Sequence, residues 1–358
     1  MIEELSREDV IDILYGATIF GAGGGGDLSE GFELLDAAVA AGKTFRLGTL
    51  EDAPSDALIC TPYLLGALSE TDQSEASAYI GLPRAREHPL ITAHRRMEAH
   101  LGQRLVAAVP CELGGSNTAV PFFVAAMTGG FAIDADPAGR AVPEITHSGY
   151  YLAGLPASPI VAANAFGEVF VLDHIADDRR AEALMRALCH KSRNDIAVVD
   201  HALPAATLQK GVIPGTLRRA QKLGRLWRDL RKNPREALLS IADAAQGRIA
   251  FRGRVVDSRA RTEAGFTVGD FFIAGSDAFI GQTYRVSLKN ENMAAWRDGK
   301  IDSSIPEIIS VFDTKTCEVV TNPHVSIGRD VAIMILPAPE IFTTPEGLAV
   351  FGPSYAGI

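Results

Sequence analysis

Cysteine is scarce in this 358-residue sequence. There are four, at Cys60, Cys111, Cys189 and Cys317, and no CxxC pair. That spacing excludes a disulfide framework and a cysteine zinc site, and it fits a reducing compartment. Basic charge is short too. Lys and Arg number 34 against 44 Asp and Glu, a net charge of −10, which argues against a nucleic-acid partner. No apolar run is long enough to span a bilayer. The opening MIEELSREDV is too acidic and polar for a secretory signal. A cytoplasmic location is therefore expected, with neither nucleic acid nor membrane among the partners. Internal repeats and low-complexity tracts are absent. What remains is 47% hydrophobic and 22% charged, an ordinary globular composition, with length for two domains and sizeable cores.

Against this background one stretch is dense in chemistry. Pro110 to His147, PCELGGSNTAVPFFVAAMTGGFAIDADPAGRAVPEITH, holds Glu112, Asp134, Asp136, Arg140, Glu144 and His147 among glycines and one apolar helix. Arg104–Val109 reads as a strand. Ser116 or Asn117 can cap a helix over Thr118–Met127, with Pro121 near its first turn and Gly129-Gly130 stopping it. Phe131–Asp134 is the next strand. Glu112 then follows one strand of a strand–helix–strand unit, and Asp134 and Asp136 follow the other. Ligands in open α/β sheets sit beyond those strand ends, and the helix start offers free N–H groups to an anion. Partly buried carboxylates there acquire shifted pKa values useful for acid–base work or metal binding. The competing reading is a salt-bridged turn of Asp134, Asp136 and Arg140.

Ser6, with Asp9 three residues on, predicts a capped helix whose apolar face carries Val10, Ile13 and Leu14. It runs into Gly21-Ala22-Gly23-Gly24-Gly25-Gly26-Asp27, and a second helix covers Glu30–Ala40. No Gly-Lys-Ser/Thr follows and no strand precedes, so the loop is neither a P-loop nor a dinucleotide fingerprint. Four consecutive glycines suggest close backbone approach to a ligand or another segment; a plain helix–helix connection is the alternative. Thr44–Leu47 and Ala57–Leu65 read as strands and Leu90–Leu101 as a helix, whose His94 and His100 are expected at the surface. Ile160–Ala165 and Val169–Leu172 predict a hairpin, and Arg179–Lys191 a helix. Leu217, Ala220, Leu223, Trp227 and Leu230 recur at helical spacing, with six Arg and Lys on a face expected to be solvated. From Gly247 short β-rich runs take over, at 247–256, 265–274, 282–289, 305–312 and 330–336. The expectation is a two-domain protein: an α/β N-terminal domain over 1–170, then over 171–358 a helical connection followed by a β-rich domain. Asn290, Glu291, Asn292 and His324 are the candidates for reaching back toward the first domain, although Asn and Glu between strands are commonly turn residues.

GAGGGGD, E-x-GG-x-N, D-x-D-x-x-GRA-x-PE, KNENMAAW and LPAPEIFTTPEGLAVFGP stand in this order. In them the chain resembles the S-methyl-thiohydantoin desulfurase-like family over nearly its whole length. The resemblance implies a hydrolase of a small hydantoin- or thiohydantoin-like heterocycle, converting an S-methyl thiohydantoin to hydantoin and methanethiol. It also lifts Asn290, Glu291 and His324 above turn residues. Water addition needs a base, an acid for the leaving atom and stabilisation of developing charge. Asp134 or Asp136 is assigned the base, Glu112 the second acid–base group, and Arg140 a bidentate hold on the substrate. Gly23, Gly24, Gly25, Gly26, Asn117, Glu144, Asn290, Glu291 and His324 are expected to bind substrate. One divalent ion, zinc or manganese, is expected on Asp134, Asp136 and His147, without any HxH or HExxH spacing behind it. His147 is a ligand, an acid–base group or a buried structural histidine. A homo-oligomer and a hydantoinase-type partner are expected. The alternative is a non-catalytic, ligand-binding accessory of a hydantoinase or oxoprolinase.

Overall fold

The computed structural model describes residues 1–66, 79–193, 195–322 and 324–358. All the expected elements lie within them. Ser6 caps α1 (Arg7–Phe20): its hydroxyl accepts the Asp9 N–H at 3.1 Å while the Asp9 carboxylate returns to the Ser6 N–H at 3.1 Å, the reciprocal pair expected from the sequence. The glycine loop follows, then α2 (Leu28–Ala40). Later helices are α3 (Pro89–Leu101), α4 (Ala119–Thr128), α5 (Asp178–His190), α6 (Thr216–Leu230) and α7 (Pro234–Ala244). None of the helices among the described residues is long and apolar enough to cross a membrane.

The first sheet has eight strands: β1 (Glu3–Leu5), β2 (Phe45–Gly48), β3 (Leu58–Gly66), β4 (Leu105–Ala108), β5 (Phe131–Ile133), β6 (Ile160–Ala163), β7 (Val169–Leu172) and β8 (Asp195–Pro204), in the order β1-β2-β5-β4-β3-β8-β6-β7. Its centre, β2-β5-β4-β3, is parallel, and both flanks are antiparallel. β4, α4 and β5 form the expected strand–helix–strand unit. The cap of α4 differs from the reading: Thr118 stands at the N-cap, and its hydroxyl accepts from Gly114 N–H at 2.9 Å.

The second sheet is antiparallel throughout. Its strands are β9 (Arg248–Glu263), β10 (Phe266–Gly275), β11 (Thr283–Lys289), β12 (Glu291–Arg297), β13 (Lys300–Ser304), β14 (Ile308–Asp313) and β15 (Asp330–Leu336), ordered β13-β12-β11-β10-β9-β15-β14. Asn290 turns the chain at φ +60°, but Glu291 already belongs to β12. Side chains alternate across this sheet. Ile309, Val311, Val331 and Ile333 enter its own core, whereas Ile308, Phe312, Ala332 and Met334 face the core shared with α1, α6 and α7. The protein is thus an α/β part joined to a β-rich part through one continuous apolar contact.

Helix α6 makes the join. Gly16 of α1 lies against the Ala220 backbone, and Gly224 of α6 against the Asp12 backbone, so close that a Cβ at either glycine would overlap a carbonyl. Trp227 stacks on Tyr15 with centroids 3.9 Å apart and donates to the Cys317 carbonyl at 2.7 Å. The basic face of α6 is solvated as expected, with Arg219, Lys222, Arg225, Arg228 and Arg231 exposed and Arg218 half-buried. Arg225 pairs with Asp9 at 2.6 Å, Arg228 with Asp12 at 2.8 Å, and Arg218 with Glu3. His94 is a correction: it is buried at 2% exposure, because α3 turns that face onto β6 and β8, while His100 meets Asp173 at 2.8 Å.

Candidate functional site

A cavity of about 600 Å³ is enclosed by the glycine loop, the end of β3, the segment after β4, β8 and the start of β12. Both parts of the molecule therefore build it, as expected of a ligand site. The loop earns its glycines by contact. Gly25 carbonyl accepts from Ser116 N–H at 3.2 Å and Asn117 N–H at 3.1 Å, while Gly23 carbonyl accepts from Asn322 N–H at 2.8 Å. At Gly24 a Cβ would overlap the Glu291 carboxylate, so the loop backbone lies directly against that side chain.

Glu112 and Glu291 form the acidic floor. Glu112 is buried; its Oε1 accepts from Asn117 Nδ2 at 2.8 Å and its Oε2 from Val142 N–H at 2.8 Å. The Asn117 amide is held in that orientation because its own oxygen accepts from Leu64 N–H at 3.0 Å. Burial lifts the Glu112 pKa to about 7, against the pull of those two hydrogen bonds. Glu291 is lifted well above its ordinary value, by burial first and by the Glu112 charge second. Its Oε2 has no hydrogen-bond partner among the described residues. The Glu112 charge thus favours the protonated form of Glu291, so the two carboxyls differ in how tightly they hold a proton.

A second wall was not anticipated. Asp200 and His201 lie side by side on β8. The Asp200 carboxylate accepts from His201 Nδ1 at 2.7 Å and from the Tyr63 hydroxyl at 2.9 Å. Tyr150 stacks on the His201 ring at 4.3 Å and hydrogen-bonds Thr61 Oγ1 at 3.1 Å. All five side chains line the cavity, as does Cys111, whose thiol is pushed well up by burial, then by Glu112 and Asp200. Cys111 thus sits within electrostatic reach of both walls. Only one sequence signal pointed here: an Asp-His pair interrupting the apolar run of DIAVVDHALP.

The structure distributes the expected site residues unevenly. Gly23, Gly24, Gly25, Gly26, Glu112, Asn117, Glu144, Asn290 and Glu291 line the cavity. Glu144 is bound by Lys289 at 2.7 Å and by Tyr355; burial pushes its carboxyl up, and those hydrogen bonds more than reverse it. His324 is 58% exposed at its side chain and pairs with Asp27 at 3.0 Å. Asp134, Asp136, Arg140 and His147 lie behind the wall. Asp134 Oδ1 accepts from Arg218 N–H at 3.1 Å. Asp136 closes a turn, accepting from Ala138 N–H at 2.9 Å and Gly139 N–H at 2.6 Å. Arg140 is fully buried and donates from Nε to the Ala141 carbonyl and from Nη1 to the carbonyls of Pro306 and Glu307 at 2.8 to 3.0 Å, while its Nη2 has no hydrogen-bond partner among the described residues. Its charge still bears on Glu291 and Glu112. His147 is packed between Phe351 and Tyr355, with ring centroids 4.7 and 4.5 Å away, and burial drops its pKa to about 3.

The donor set expected for a divalent ion does not fit one. Asp134 Oδ1 and Asp136 Oδ2 are committed to backbone N–H groups; Asp136 Oδ1 and His147 Nδ1 have no hydrogen-bond partner among the described residues, but His147 sits among aromatic rings. Among the described residues no group of three or more His, Cys, Asp or Glu side chains is placed to hold a metal. The lining also carries nine carboxyl side chains against one arginine, Arg186. Arg186 is itself occupied by Glu182 at 2.6 Å and by the Pro143 carbonyl at 2.7 Å. Such a cavity disfavours an anionic ligand.

Comparison with known proteins bears on the same region. A family model described as S-Me-THD-like, N-terminal domain, matches residues 8–174, and one described as S-Me-THD-like, C-terminal domain, matches residues 176–358. A crystal structure of a protein from Chromobacterium violaceum, solved by a structural genomics consortium, superposes with a TM-score of 0.75 at 24% identity. The match covers 99% of this chain and 97% of that one, which establishes likeness of fold. The search of curated proteins found no match.

Proposed function

Because the chain belongs to the S-Me-THD-like family, we propose that it is a hydrolase of a neutral hydantoin-like heterocycle, removing methanethiol from an S-methyl thiohydantoin. The observation that carries this reading is the buried Glu112–Glu291 pair on the cavity floor. The reaction needs a base for water and an acid for the ring nitrogen in one dry place, and two carboxyls with separated affinities for a proton supply both. Ionised Glu112 takes a proton from water as the water oxygen bonds to the carbon bearing sulfur. The C=N electron pair moves to nitrogen, which takes the proton of Glu291. Collapse of the tetrahedral intermediate then expels sulfur and leaves the carbonyl. Asn117 and Val142 hold Glu112 in place, and the glycine loop brings backbone against Glu291. Arg140 stabilises the negative charge of the pair from behind, instead of gripping substrate.

The test is release of thiol from a panel of S-methyl thiohydantoins by the purified protein alone. Turnover that is lost in Glu112→Gln and Glu291→Gln supports the reading. Tight binding of the panel without turnover would favour the accessory role, in which a hydantoinase-type enzyme supplies the chemistry.

A further inference from the structure

The proposed hydrolysis leaves one requirement unassigned, the departure of the sulfur. An alkanethiolate is a poor leaving group near neutrality, and the carboxyl floor is already occupied with water and ring nitrogen. The opposite resources of the cavity are the Asp200–His201 pair and its tyrosines. His201 is 3% exposed, lines the cavity, and is fixed at Nδ1 by Asp200; its Nε2 has no hydrogen-bond partner among the described residues. Asp200 is fixed in turn by the Tyr63 hydroxyl. The backbone of His201 has φ +41°, a left-handed conformation that a non-glycine residue adopts only at a cost. A buried imidazole with one nitrogen oriented, the other free, and a strained backbone holding it is more than packing requires.

We infer that His201, oriented by Asp200, is the general acid that protonates the departing sulfur. This rests on the hydrolase reading above. As the C–S bond breaks, its electron pair goes to sulfur, which takes the proton from His201 Nε2 and leaves as methanethiol. The hydroxyl of the tetrahedral intermediate gives its proton to the ionised Glu291 while its O–H pair forms the carbonyl. Glu112, protonated in the first step, returns its proton through solvent to His201. One water is consumed, with one of its protons ending on nitrogen and the other on sulfur. Asp200 touches no reacting atom and is a positioning residue.

The experiment compares S-methyl with S-(4-nitrophenyl) thiohydantoin, whose aryl thiolate leaves without help. His201→Asn suits the site, since asparagine tolerates positive φ. It is expected to lower kcat/KM for the S-methyl compound by about 100-fold or more and for the nitrophenyl compound by under about 10-fold. Asp200→Asn should show the same selective loss, attenuated. Equal losses on both compounds, or none on either, overturn the assignment while leaving the hydrolase reading standing. Wild-type protein inert toward both compounds overturns the hydrolase reading and this inference with it. If His201→Asn does not fold, the wild type decides: a shallow dependence of kcat/KM on thiol acidity across a substituted series supports protonated departure, and a steep one refutes it.

Discussion

Replacing Glu112 by glutamine separates what burial does to stability from what it does to chemistry. Burial lifts this carboxyl from 4.5 to about 7, a difference of about 3 kcal/mol between its two protonation states. The folded state holds the proton more tightly than the unfolded chain. Below the unfolded value of about 4.5 the site therefore carries no electrostatic cost. Stability is lost as pH rises toward 7, and above it the full cost of about 3 kcal/mol is present. Glutamine removes that cost but creates another. It can accept only one of the two N–H donors from Asn117 and Val142, and Asn117 cannot turn over while it serves Leu64. An unsatisfied buried donor costs about 1–3 kcal/mol. The variant should thus be less stable than wild type at about pH 5 and equal or more stable well above pH 7, so that the two stability curves cross. Activity should behave otherwise: kcat/KM falls by about 100-fold or more at every pH. The wild-type profile rises through about 7 as Glu112 ionises and declines where the groups that donate protons have lost them. Chemical denaturation and thiol release across the same buffers measure both quantities. Wild-type kcat/KM retained by Glu112→Gln, or a flat wild-type profile on both sides of neutrality, would refute the assignment of the base.

Three further outcomes are expected. Gly24→Val should abolish turnover in protein that still unfolds cooperatively, because its Cβ would displace the Glu291 carboxylate; wild-type turnover would reduce the loop to a connection. Arg140→Met should lower stability by about 3–5 kcal/mol, since its buried partners lose their donors and the carboxyl pair loses its counter-charge; denaturant midpoints check it, and an unchanged midpoint would contradict the structural role. Turnover should survive exhaustive chelation, and hydantoin-type substrates with acidic side chains should show higher KM than neutral ones, given nine lining carboxyls; thiol release with and without chelator, and across side chains, tests both.

Periodicity and capping made the fold legible. Ser6 with Asp9, the strand–helix–strand around α4, and the β runs after Gly247 are local patterns, and local physics settles them. Glu112 was legible for the same reason, because a polar residue just past a buried parallel strand has few places to point. Asp134 and Asp136 share that signal, yet the structure spends them on the N–H groups of Arg218, Ala138 and Gly139. A carboxylate two residues before a free N–H looks alike in sequence whether it serves a turn or a substrate. His94 was misplaced because its helix packs on a strand about a hundred residues further along. The Asp200–His201 wall was illegible because it depends on β8 sitting beside β3, a pairing between positions 58–66 and 195–204 that no local pattern encodes.

That pairing also has a consequence for how the chain is made. The hairpin β6–β7 joins the first sheet only through β8, so until residue 204 has been synthesised β3 keeps an open apolar edge and the finished hairpin has nothing to pair with. At the pace of translation this interval lasts on the order of ten seconds, long enough for an exposed strand edge to meet other nascent chains. Recovery of soluble protein should therefore depend on synthesis rate across the span from β3 to β8 and on chaperone supply. A chain cut between the two family-matched segments would leave the first half permanently in that vulnerable state.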